Sequence, residues 1–206
     1  KSLLMIEQLV AAMMRRRYFY SQVGNYDITL RLPEEFDLAT TGDIKARDKE
    51  QGEGHDHSEK IWHVEAQAVR DFAWVISKDF KVRSDNADGI DIKVYYFEGQ
   101  QGAKALQVAK DSIQIFNKLF GRYLYHQFSV VSCDFFIGGM EYPNLVYIDY
   151  DIFSRDTTFI LEYIIAHEAA HQWWYGLVGN NQIMDAWIDE GLTEYSTVLY
   201  YGLRYG

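Results

Sequence analysis

The pentad His167-Glu168-Ala169-Ala170-His171 is the feature that most restricts how this chain can fold and what it can do. The apolar periodicity around it predicts one long helix over residues 159–175. Residues four positions apart share one face of a helix, so both imidazoles can reach the same metal ion. Glu168, beside the first histidine, can approach a water molecule near that ion and accept its proton. The pattern is typical of a hydrolytic metal site.

A second predicted helix, over residues 186–201, carries the best candidate for a third metal ligand. Glu190 on this helix would complete a two-histidine, one-glutamate set and leave one position open, as a catalytic zinc requires. Glu194, one turn further, could accept a hydrogen bond from the free ring nitrogen of a ligand histidine. Asp185 and Asp189 compete with it for that role, and a solvated helix surface is the alternative for all three acids.

Composition excludes several classes of protein. With 48% apolar residues in 206 and only 24% charged residues, the chain should be globular. The formal charge of −10 argues against a nucleic-acid groove. No run approaches the roughly 18 apolar residues of a membrane-spanning helix, and polar residues interrupt the predicted helix at residues 1–20, so we expect neither a membrane span nor a signal peptide in this portion. His55 and His57 share no further ligand nearby, and no metal site is predicted there.

The pattern changes along the chain from β-rich to mixed α+β. Period-two alternation predicts strands at residues 27–32 and 61–69, with a polar surface excursion over residues 43–60 between them. Further strands at residues 90–97, 128–137 and 145–150 flank a helix over residues 107–120. We place a domain boundary near residue 84, which gives a β domain at 1–83, with an unassigned helix at 1–17, and a second domain at 84–206.

Together these motifs resemble a known family. Glu190 follows His171 after eighteen residues within Trp187-Ile188-Asp189-Glu190-Gly191, and Gly138-Gly139-Met140-Glu141 lies upstream of the pentad. The chain thereby resembles the gluzincin metallopeptidases of the aminopeptidase N and leukotriene-hydrolase type. The resemblance extends more weakly over roughly residues 18–206. It implies the end of an N-terminal β-sandwich-like domain, followed by the first half of a thermolysin-like zinc peptidase domain.

The resemblance also implies residue roles. One Zn²⁺ per chain would be bound by His167, His171 and Glu190, with Glu168 as the general base. Glu141 would bind the free α-amine of a peptide substrate, and a buried ammonium does need a fixed anion. The glycines Gly138 and Gly139, with Met140, would form an edge strand that pairs with the substrate backbone, although a plain turn is nearly as good a reading of the glycine pair.

Three departures from the family pattern bear on these expectations. Tyr142 and Pro143 stand where the family often has Asn after the glutamate, which affects substrate preference more than chemistry. The first 17 residues do not resemble the family. The family's transition-state tyrosine lies beyond Gly206, and Tyr195, Tyr200 and Tyr201 are too close to the third ligand to replace it. We therefore expect a fragment, which could be inactive by itself.

The function expected from the sequence is zinc-dependent hydrolysis of the N-terminal peptide bond of a peptide by an activated water. One alternative is a zinc endopeptidase, in which Glu141 would be an ordinary acid. Another is a non-catalytic module in which zinc braces two helices. The sequence predicts neither the preferred N-terminal residue, nor an oligomeric state, nor a cellular location.

Overall fold

The computed structural model describes residues 21–50, 59–154 and 158–206, and these residues form a mixed α+β structure. The helix predicted at residues 1–20 and the pair His55 and His57 lie outside the described residues. The ten described strands are β1 (Gly24–Pro33), β2 (Asp37–Thr40), β3 (Asp43–Glu50), β4 (Glu59–Val69), β5 (Trp74–Ser77), β6 (Lys81–Ala87), β7 (Ile90–Tyr96), β8 (Gln127–Cys133), β9 (Gly139–Met140) and β10 (Leu145–Asp149). The three described α-helices are α1 (Gly102–Phe120), α2 (Thr158–Ala170) and α3 (Ala186–Tyr205).

The first part of the described chain is built from two small antiparallel sheets. One has the strand order β1-β4-β3, and the other pairs β2 with β5. Exposure alternates along β1, as expected for a strand with one buried face. A small core between these strands contains Leu32, Leu38, Trp62 and Val64.

The prediction of a surface excursion over residues 43–60 is wrong for its first part, because residues 43–50 form β3 and pair with β4. The strand is held by backbone hydrogen bonds, which need no apolar side chains, and Ile44 packs against the local core. Its polar sequence reflects a position at the edge of the sheet.

The second part contains a five-stranded sheet with the order β6-β7-β8-β10-β9. Its three central strands are parallel, and β6 and β9 pair antiparallel at the edges. Alternate residues of the central strands face two different cores. Helices α1 and α2 cover one face, around Val94, Val130 and Ile148, and α3 packs against these two helices. The opposite face packs against residues from the first part of the chain, including Ala39 and Phe80. The predicted boundary near residue 84 falls inside β6, and the division into domains stays a prediction.

The helices are close to those predicted, with one instructive difference. Helix α1 ends at Phe120, directly before Gly121, which has φ +98° and stops the helix as its sequence predicts. Helix α2 was predicted to continue to residue 175 but ends at Ala170, and residues 171–178 form a series of tight turns. The apolar pattern continues through these turns because Trp173 and Trp174 pack against the core, so hydrophobicity alone could not predict the end of the helix.

The strand predicted over residues 128–137 is also shorter than expected, because it ends at Cys133. Among the described helices, none has the length and apolar character needed to cross a membrane.

Candidate metal centre

Three predicted ligands converge between α2 and α3. His167 lies near the end of α2, His171 directly follows its last residue, and Glu190 projects from α3. The Oε2 atom of Glu190 lies 3.3 Å from Nε2 of His167 and 3.7 Å from Nε2 of His171. The potential ligand atoms of the three residues all lie within 4.8 Å of one another. The helical spacing read from the sequence therefore brings these side chains to one point.

The dimensions of this cluster fit a zinc ion. Zinc bonds to histidine nitrogen and carboxylate oxygen are about 2.0–2.1 Å long, so two ligand atoms of a tetrahedral site lie about 3.4 Å apart. The separations of 3.3 Å and 3.7 Å between Glu190 and the two histidines are close to that value. Two imidazole nitrogens and a carboxylate are also a donor set that zinc prefers.

The cluster is closed on one side and open on the other. The side chain of His171 is only 2% exposed, whereas that of Glu190 is 55% exposed. Hydrogen bonds from His167 and His171 hold the pKa of the Glu190 carboxyl far below its usual range. Burial lowers the pKa of His171, but the hydrogen bond to Glu190 and the charges of Glu141, Glu168 and Glu190 outweigh it and raise the value to about 9. The surroundings of these ligands thus favour a positive charge.

The second histidine is oriented by groups that sequence reasoning missed. Its Nδ1 atom lies 3.0 Å from the backbone carbonyl of Trp174 and 3.1 Å from the hydroxyl of Thr193. A carbonyl can only accept, so Nδ1 of His171 carries a proton, and Nε2 is the atom that could bind a metal ion once it has given up its own proton. Thr193 lies three residues after Glu190 on the same helix face, a spacing that could have identified it. A backbone carbonyl leaves no such signal in the sequence.

The two predicted outer acids occupy different places. Glu194 lies with Oε2 3.5 Å from Nδ1 of His167, and it also accepts a hydrogen bond from the hydroxyl of Tyr163. The distance to His167 is short, but its geometry does not make a hydrogen bond. Asp189 is not brought to either histidine. Its buried carboxylate instead accepts from Asn180 at 2.6 Å and from Gln182 at 2.7 Å.

Glu168 is buried beside the ligand cluster. Its Oε2 atom has no hydrogen-bond partner among the described residues. Burial, followed by the nearby charge of Glu141, raises the pKa of its carboxyl well above the usual value. A carboxylate oxygen of Glu168 lies within 4.8 Å of potential ligand atoms of Glu141 and His171. A carboxyl group in this position is suited to hold a proton.

The predicted substrate-binding segment lies against Glu168. A Cβ atom on Gly139 would stand only 2.2 Å from Oε1 of Glu168, so the carboxyl group occupies space that only glycine leaves free. Gly138 has φ +91°, which also favours glycine. Gly139 and Met140 form β9, which pairs with β10 on one side and ends the sheet order on the other.

Glu141 follows this edge strand and is held by one further residue that the sequence did not reveal. The side-chain amide of Gln182 donates to Oε1 of Glu141 at 2.8 Å and to Asp189 at 2.7 Å. Gln182 thus bridges two acids, and one of them lies beside the ligand cluster. No local pattern around residue 182 signals this contact, because the turn that carries it packs against a strand 41 residues earlier.

Comparison with known proteins gives a consistent result. A family model described as the peptidase family M1 domain matches residues 104–205. Leucine aminopeptidase 2-1 of Scheffersomyces stipitis is 36% identical over 85 residues, which are 40% of this chain and 13% of that protein. Aminopeptidase B of Homo sapiens is 33% identical over 90 residues, which are 40% of this chain and 14% of that protein. Leukotriene A-4 hydrolase of Xenopus laevis is 31% identical over 112 residues, 53% of this chain and 17% of that protein.

The matched regions span only 13–17% of the length of these relatives. The part of the chain that the family model matches, residues 104–205, carries Glu141, the pentad and Glu190. Residues 104–205 therefore belong to peptidase family M1, the gluzincin family of the aminopeptidase N and leukotriene-hydrolase type that the motifs of this chain resemble.

Proposed function

We propose that this chain carries the zinc site of an aminopeptidase, which hydrolyses the N-terminal peptide bond of peptides with a free N-terminus. The observation that carries the proposal is the convergence of His167, His171 and Glu190, with two further carboxyl groups directly beside them. The proposal extends to the fold. Residues 84–206 would be the first part of a thermolysin-like catalytic domain, preceded by the end of a β-sandwich-like domain.

The ligand set would be His167 through Nε2, His171 through Nε2 and Glu190 through Oε2. Zinc, when bound there, acts as a Lewis acid. It lowers the pKa of a water molecule to about 7 and polarises the scissile carbonyl. The exposed side of Glu190 leaves room for a substrate to approach.

Glu168 would act as the general base. It would take a proton from the attacking water and then deliver it to the leaving amine, which a buried carboxyl group with raised proton affinity can do. Gly139 supports this role because its lack of a side chain lets the Glu168 carboxyl group lie against the edge strand.

Glu141 would bind the α-ammonium group of the substrate. The amide of Gln182 fixes the direction of this carboxylate, so that a cation placed beside it would find a pre-oriented partner. The free edge of β9 would pair with the substrate backbone and place the first peptide bond next to Glu168.

Hydrolysis of an aminoacyl reporter tests this proposal. Any hydrolysis by the zinc-loaded chain should act on a free-amine reporter and not on the same reporter after N-acetylation. Glu168→Gln should keep its zinc and lose turnover, because only the proton acceptor is removed. Glu65→Gln, which changes an exposed strand residue in the same way, is the matched control and should not change either property.

The outcomes separate the candidate functions. Cleavage of the acetylated reporter would support an endopeptidase in place of an aminopeptidase. Zinc binding without any turnover would support a non-catalytic zinc module for this chain. Turnover that survives Glu168→Gln would show that the proposed general base is wrong.

A further inference from the structure

Tyr175, in the turns that follow α2, has a strained backbone. Its φ of +116° lies in a region that favours glycine, and the residue is only 6% exposed. A non-glycine residue in such a conformation is strained, so contacts around it must hold it there.

The peptide bond between Trp174 and Tyr175 faces the metal-ligand cluster. Its carbonyl oxygen accepts from Nδ1 of His171 at 3.0 Å, and its N–H donates to the carbonyl of Val178 at 3.0 Å. The C=O and N–H groups of a trans peptide lie in one plane and point in opposite directions. Rotation of this plane, which a change of φ at Tyr175 would bring about, would therefore remove the carbonyl from His171.

The contacts that hold Tyr175 come from the end of β4, more than a hundred residues earlier. The Nε atom of Arg70 donates to the Tyr175 carbonyl at 2.9 Å, and the guanidinium lies 5.9 Å from the centre of its ring. The hydroxyl of Tyr175 donates to Asp71. The guanidinium fills space beside Gly179, where a Cβ atom would overlap Nη2 of Arg70 at 1.5 Å. Both the carbonyl and the side chain of Tyr175 are thus fixed.

We propose that Arg70 and Asp71 are positioning residues for the metal site. They hold Tyr175 in its strained conformation, and this keeps the Trp174 carbonyl within hydrogen-bond distance of Nδ1 of His171. The inference rests on the proposed zinc site, and it adds that a segment outside the ligand helices sets the orientation of a ligand. Without these contacts, Tyr175 relaxes to an ordinary φ, and Nδ1 of His171 keeps only the Thr193 hydroxyl. A hydroxyl can donate as well as accept, so it does not fix the tautomer as the carbonyl does. Loss of such an outer partner typically lowers metal affinity about 10–100-fold.

The test measures zinc affinity of the whole 206-residue chain by competition with a chromophoric chelator. Arg70→Gln removes the donor to the Tyr175 carbonyl, and Tyr175→Phe removes the hydroxyl that donates to Asp71. Each variant should bind zinc at least about tenfold more weakly. They should also shift the visible absorption bands of the Co²⁺-loaded chain, since those bands report ligand geometry. Arg83→Gln is the matched control, because Arg83 makes a similar contact with Tyr96 and should leave both readouts unchanged.

A double-mutant cycle separates the restraint of the Tyr175 backbone from a general loss of stability. Glycine adopts positive φ without strain, so Arg70→Gln should cost much less zinc affinity in a Tyr175→Gly background than in the wild type. Equal costs in both backgrounds would overturn the inference. Urea unfolding of each zinc-free variant shows that the chain is folded before metal is added.

The results distinguish this inference from the proposal beneath it. A wild-type chain that binds no zinc would overturn the proposed function and this inference with it. A wild-type chain that binds zinc, with folded Arg70→Gln and Tyr175→Phe variants of the same affinity and the same Co²⁺ spectrum, would overturn this inference alone.

Discussion

Glu162 is a buried carboxylate that joins all three helices, and its replacement gives a prediction whose size can be worked out from the structure. It lies on α2, where Oε2 pairs with Lys104 of α1. Its Oε1 atom accepts from Tyr200 at 3.1 Å and from Tyr205 at 2.6 Å, and it forms an ion pair with Arg204 at 3.1 Å. These three residues all lie on α3. We expect Glu162→Gln to weaken the packing of the helices that carry the metal-ligand cluster.

The magnitude follows from the two carboxylate oxygens. A glutamine oxygen can still accept from the residues of α3, but the glutamine nitrogen would face the ammonium of Lys104, donor against donor. Breaking a buried ion pair costs about 3–5 kcal/mol. Because Lys104 is 29% exposed and can turn towards water, we expect about 2–3 kcal/mol here. For a chain of this size, that is a fall of about 4–12 °C in melting temperature.

Urea unfolding, followed by circular dichroism, measures this change. Glu98→Gln is the matched control, because Glu98 pairs with Lys81 at 3.7 Å on the surface and is 89% exposed. It should change the free energy of unfolding by less than about 0.5 kcal/mol. If Glu162→Gln changed the free energy of unfolding no more than Glu98→Gln, the buried network would not stabilise the helices as argued.

Three further predictions address acid stability, thiol reactivity and the general base. Burial raises the pKa of Glu162, but hydrogen bonds from Lys104 and the tyrosines outweigh it and lower the value below 4.5, so the stability it supplies is lost as pH falls through the lowered value. Wild-type protein should therefore lose more unfolding free energy than Glu162→Gln between about pH 5 and about pH 3 in urea titrations. Cys133 is buried, which raises its pKa, so iodoacetamide should label it only after denaturation, as mass spectrometry would show. Gly139→Ala should push the Glu168 carboxyl group by about 1 Å and lower kcat roughly 100-fold while zinc content stays unchanged.

The ligand cluster could be predicted from the sequence because it depends on local geometry. The interval of four residues between His167 and His171 places both side chains on one helix face whatever the rest of the chain does. Glu190 was predictable from its place on the next helix. The structure brings all three together as that reasoning expected, although their role as zinc ligands stays a prediction.

The surroundings of the cluster could not be predicted, because they depend on contacts between distant segments and on backbone atoms. The contact between Arg70 and Tyr175 joins residues 105 positions apart. The Trp174 carbonyl acts as a partner of His171 only because α2 ends five residues earlier than its apolar pattern indicates. Strand β3 was missed for a similar reason, since backbone pairing at a sheet edge leaves little hydrophobic pattern.

Zinc content is the measurement that tests the central claim most directly. Elemental analysis of the purified chain, after dialysis against excess zinc and then against buffer, should give about one zinc ion per chain. His167→Ala and Glu190→Gln should each lose most of it, whereas His126→Ala, which changes a histidine outside the cluster, should retain it. A wild-type chain without zinc, or zinc that survives the loss of both His167 and Glu190, would contradict the account.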